Sequence, residues 1–92
     1  MASRLKQVAA TGQVEAGPAY LKSVTLTPAA AVATLVVDNS TDGAGTDLIK
    51  LQAPASGQSV RWASADGQGV LFTTAIYATL TGAGAVASFE LG

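Results

Sequence analysis

The chain has 92 residues, enough for one domain, and carries a net charge of −1 with only 12% charged residues. Its hydrophobic share of 49% includes 19 Ala, so few large side chains stand behind that figure. With no Cys, no His, two Glu and three Lys, the composition excludes several classes: a disulfide framework, zinc or thiolate chemistry, an imidazole base, a coiled coil, and the basic footprint of a nucleic-acid binder.

In chain order, residues 1–16 read as an N-terminal arm or an edge strand, with strand character around Leu5 to Ala9. Arg4 and Lys6 resemble the charged start of a signal peptide. The following Val8-Ala9-Ala10-Thr11-Gly12-Gln13 is too polar and too short for its apolar core. From Gly17 the dominant period is two. Tyr20 to Thr27 puts Tyr20, Val24 and Leu26 on one face and Thr25 and Thr27 on the other. Pro28 to Val32 allows one helical turn with Pro at its first position. Val32 to Asp38 is the next strand, closed by the turn cluster Asp38-Asn39-Ser40-Thr41-Asp42-Gly43.

Asp47 to Gln52 is the third strand and stops at Ala53-Pro54-Ala55-Ser56-Gly57. Ser59 to Ala63 follows, with Val60 and Trp62 facing one way and Arg61 the other. Asp66-Gly67-Gln68-Gly69 turns the chain into Val70 to Thr73. Ile76 to Thr81 alternates Ile76, Ala78 and Leu80 against Tyr77, Thr79 and Thr81. Gly82-Ala83-Gly84 leads to Val86–Leu91, with Ala87, Phe89 and Leu91 inward. Seven closely spaced strands, or eight with the N-terminal one, predict an all-β fold. It is a small antiparallel β-sandwich or jelly-roll-like barrel, with residues 17–92 as its single domain and an extended N-terminal arm.

Few residues suggest chemistry. Asp38, Ser40 and Asp42, with Gly43 at the sixth position, match the first half of a calcium loop. Position twelve is Ile49 rather than Glu, and only Asp47 offers a non-standard substitute. The alternative is a hairpin loop whose Asp and Asn side chains bond their own backbone, and no metal or cofactor is expected. Asn39-Ser40-Thr41 matches the glycosylation pattern by coincidence. The six carboxylates show no pairing in a cleft, and the Ser and Thr residues lack an obvious base, so an enzyme is not expected. Trp62, Tyr20, Tyr77, Phe72 and Phe89 are either the core's large fillers or a sugar-binding platform. The thin core, the low charge, the Thr stripe (Thr73, Thr79, Thr81) and strand edges without Lys predict a chain stabilised by its neighbours. The longest apolar stretch, Ala29 to Val37, is far below the ~20 residues of a membrane span.

Gly17-Pro18-Ala19-Tyr20-Leu21-Lys22-Ser23-Val24-Thr25-Leu26-Thr27 resembles the entry strand of small virion proteins of tailed bacteriophages. The Asp/Ser/Gly-rich hairpin at 38–47, Ala53-Pro54-Ala55, Gly69-Val70-Leu71-Phe72 and the Leu80 to Gly84 hairpin continue the likeness over residues 16–92. Many such chains have Gly before the Ile/Leu-Tyr strand, where this one has Ala75. The resemblance implies a capsid decoration, or cement, protein made in the host cytoplasm and placed on the capsid exterior. Its partners would be the major capsid protein and copies of itself, a trimer being favoured, with no nucleic acid and no membrane. Arg4, Leu5, Lys6 and Val8 would then contact a neighbour or the shell. The alternatives are a tail, collar or fibre component, or a carbohydrate- or host-surface-binding module.

Overall fold

In the computed structural model, which describes residues 4–45, 47–65 and 67–92, the described chain forms nine strands and no helix. Strand β1 is Arg4–Val8, β2 Gly12–Glu15, β3 Ala19–Thr27, β4 Ala33–Asp38 and β5 Asp47–Ala53. Strand β6 is Val60–Ala63, β7 Val70–Phe72, β8 Ile76–Thr81 and β9 Val86–Leu91. One antiparallel sheet runs β1-β9-β3-β6, and β7 also pairs with β3. The other runs β2-β8-β4-β5. Strands β6 and β7 take successive stretches of β3, Ser23 to Leu26 and Ala19 to Leu21, so they act as one edge strand interrupted by a loop. With those two counted together, each sheet has four strands and the chain crosses between sheets at most turns. That is the connectivity of an antiparallel sandwich of the jelly-roll kind.

Each strand forms where β-branched and large apolar residues alternate with polar ones, so that one face can be buried. Leu21, Val24, Leu26, Phe72, Phe89 and Leu91 of the first sheet meet Leu35, Val37, Ile49, Ile76 and Leu80 of the second in one cluster. Among the described residues nineteen apolar side chains are buried, seven of them Ala, and the fully buried rings are Phe72 and Phe89. The radius of gyration, 12.2 Å, is what a packed domain of this length has, about 12 Å.

Three features depart from expectation. The segment read as arm or edge strand is, over residues 4–15, a strand on each sheet: β1 lies against β9 and β2 against β8. The edge-strand alternative therefore holds for β1, no extended arm forms over these residues, and β2 is an unanticipated ninth strand; residues 1–3 lie outside the described part. Tyr20 faces outward, opposite to Val24 and Leu26. The β3–β9 register jumps between Leu21 and Ser23, a bulge that inserts Lys22 and reverses the alternation upstream. Pro28 to Val32 makes no helical turn, because the Ala29 carbonyl accepts the Ser56 N–H (2.7 Å) from the β5–β6 connection.

Candidate functional site

The N-terminal strand sits at the sandwich margin. Its register puts Arg4 opposite Leu91 and Lys6 opposite Phe89, so both cations lean toward the interior side and reach across to the other sheet. There Arg4 Nη2 meets Glu15 Oε2 at 2.6 Å, while Lys6 Nζ meets Glu15 Oε1 at 2.8 Å and donates to the Val14 carbonyl at 2.9 Å. These two cations hold the Glu15 carboxyl below its ordinary value of 4.5, Lys6 more than Arg4. Val8 packs against the core. Of Arg4, Leu5, Lys6 and Val8, only Leu5 is left projecting, 80% exposed on the outer face beside Glu90.

The expectation of unguarded edges fails at this strand. Charges pointing inward from an edge oppose edge-to-edge pairing, and β1 carries two. On the far side of the molecule β5 presents exposed Lys50, and β6 presents exposed Arg61.

The loop between β4 and β5 folds over the outer face of its own sheet. Ser40 Oγ accepts the Gly43 N–H (2.9 Å), and Asp42 Oδ1 accepts the Ala44 N–H (3.0 Å). Gly43, with φ of 83°, lies so near the Tyr77 ring that a Cβ there would be 2.8 Å from it. Of the four candidate calcium ligands, Ser40 and Asp42 thus cap local turns. Asp38 and Asp47 are paired across β4–β5, and Asp47 Oδ2 lies 3.7 Å from Lys50 Nζ. Asp38 is 1% exposed, and its Oδ1 has no hydrogen-bond partner. Burial first, and then the Asp47 carboxylate beside it, push the Asp38 carboxyl above its ordinary 3.8. Among the described residues no three acidic side chains converge in a way that could hold a metal ion.

Sequence reading missed the use made of Asn39. Its Nδ2 donates to Thr73 Oγ1 (3.0 Å), and its Oδ1 accepts the N–H groups of Thr74 (2.8 Å) and Ala75 (3.4 Å). One amide thereby ties the β4–β5 loop to the β7–β8 loop. The turn cluster announced an Asn in a loop; nothing local announced a contact 34 to 36 residues away.

The aromatic residues divide. Phe72 and Phe89 are core, Trp62 packs partly buried against it, and Tyr20 is 46% exposed. Tyr20 is opposite exposed Leu71 on β7, at one end of the first sheet's outer face. A cavity of about 350 Å³ opens there, lined by Tyr20, Lys22, Gln68 and Gly92. Gly69, at φ of 101°, brings its backbone against Tyr20 Cβ and Lys22 Cγ, where a Cβ would be 3.2 to 3.3 Å away. The expected turn at 66–69 includes Asp66, which lies outside the described residues.

The other sheet has a different outer face. The register aligns Thr34 with Thr81 and Val36 with Thr79, all outward. Thr34 Oγ1 and Thr81 Oγ1 hydrogen-bond to each other. Strands β4 and β8 make this face β-branched, with a hydroxyl pair satisfied within the sheet, and Lys50 of β5, opposite Val36, borders it. Thr73 of the expected stripe belongs instead to the Asn39 latch.

Compared with known protein families, with curated proteins and with solved structures, the chain matches none.

Proposed function

We propose that this protein is a non-catalytic structural component of a phage virion, a decoration protein that sits on the capsid exterior and stabilises contacts between major capsid protein subunits. The observation that carries the proposal is the outer face built from Thr34, Val36, Thr79 and Thr81. β-branched side chains have little rotamer freedom to lose on association, and Thr34 and Thr81 already satisfy each other's hydroxyls. Leu5 adds an exposed apolar contact at the opposite sheet's margin. The jelly-roll kind of sandwich, used repeatedly in viral shells, supports the reading by analogy of fold alone. The protein assembles with copies of itself, most simply as a trimer, after synthesis in the host cytoplasm.

The test is co-sedimentation with phage heads stripped of the protein. The unmodified chain is expected to saturate the heads, and Thr79→Lys or Leu5→Lys to lower occupancy by about tenfold, equivalent to 1.4 kcal/mol. Failure of the unmodified chain to sediment with heads would refute the proposal. Occupancy unchanged in both variants would remove these two contacts from it.

A further inference from the structure

A second, independent site lies at the Tyr20 end of the first sheet. Unbroken alternation back from Val24 and Leu26 would bury Tyr20; the bulge after Leu21 turns Tyr20 outward, buries Ala19 and Leu21, and adds Lys22 in the inserted position. Bulges re-aim side chains in this way next to functional sites. The cavity of about 350 Å³ bordered by these residues falls within the usual range for small-molecule pockets, about 300–1,000 Å³. Its described lining is one aromatic ring, one ammonium and one carboxamide, completed by Gly92.

We infer that this cavity binds a saccharide, one pyranose ring stacking on Tyr20 while its hydroxyls are hydrogen-bonded by Gln68 and Lys22. A sugar ring has an apolar C–H face and a rim of hydroxyls. An exposed aromatic ring flanked by an amide and an amine matches both parts, the ring burying the C–H face and the side chains replacing water at the hydroxyls. A nucleotide would also stack, but Lys22 is the single cation of the cavity's described lining, where phosphate binding draws on several basic contacts. The platform is Tyr20 and not Trp62, whose ring packs against the core.

The experiment is saturation-transfer NMR on the full chain with cellotriose, maltotriose, tri-N-acetylglucosamine and, as a competing chemistry, uridine monophosphate. Transfer to the ring C–H protons of at least one saccharide is expected. Tyr20→Ala should weaken it at least about tenfold, and Tyr20→Phe should retain it. The proton spectrum of each variant establishes that it is folded. No transfer to any of the three saccharides would overturn the inference. So would transfer undiminished in folded Tyr20→Ala, or transfer to uridine monophosphate alone.

Discussion

Asn39 does more for this fold than its place in a polar turn suggests. Its side chain makes three hydrogen bonds to residues 73–75, two of them to backbone N–H groups that have no strand to pair with. Truncation leaves those donors to find water in a half-buried setting. Asn39→Ala should therefore cost about 1–3 kcal/mol in urea unfolding, and a loss below about 0.5 would show that the latch is incidental. Asp38 acts the other way. Its raised value means that the folded state holds the proton more tightly than the unfolded chain. The native state is thus best served below the ordinary 3.8 and loses stability as pH rises through the raised folded value. Asp38→Asn supplies a donor for Asp47 and no charge to bury. It should stabilise the protein at pH 7 by roughly 1 kcal/mol, and the gain should shrink toward pH 3. Equal effects at both pH values would contradict this account. Glu15 has the opposite sign: its lowered value contributes stability above the ordinary 4.5 that fades as pH falls through the folded value. Arg4 and Lys6 are about half exposed, so Glu15→Gln should cost less than about 1 kcal/mol at pH 7, less still in high salt.

Among the elements, strands β3 to β9 are legible because each is a short run of β-rich residues, all but β7 stopped by a nearby Gly, Pro, Asn or Asp. Their inward faces follow from alternation in β4, β8 and β9, where nothing disturbs the pleat. Tyr20 is misread because a bulge leaves no local mark; Lys22 looks like any strand residue until β9 skips it. Strand β2 escapes because it buries one apolar residue, Val14, and itself contains a register shift. The calcium-like spacing at 38–42 is legible as a turn, whereas the fold that seats it on Tyr77 is not, since β8 lies far along the chain. The β8–β9 turn, read from the sequence as a hairpin, instead carries the chain from one sheet to the other and is a sharper case of turn chemistry. Gly82 has φ of 107°, and a Cβ there would stand 2.7 Å from the Val32 carbonyl oxygen. Gly82→Ala should destabilise by more than about 1 kcal/mol, read as a lower urea midpoint with unchanged slope. A neutral result would mean that the turn repacks.

At the scale of the whole molecule, the 49% hydrophobic content resolves into a core held by two Phe, a set of Leu, Val and Ile, and seven Ala. Such a core closes the sandwich without leaving much surplus, and one margin is sealed by ion pairs from Arg4 and Lys6 rather than by apolar contact. Two surfaces carry the proposals: the β-branched outer face of β4 and β8, beside the loop seated on Tyr77, and the small cavity at Tyr20. The first underlies the proposed role on a capsid, and it makes a quantitative demand. A closed shell repeats one site through its symmetry, so a decoration protein is needed in on the order of hundreds of copies per particle. On the proposed reading, densitometry of purified virions measures that number directly. The account predicts hundreds of copies per particle; a few tens, or none, would contradict it.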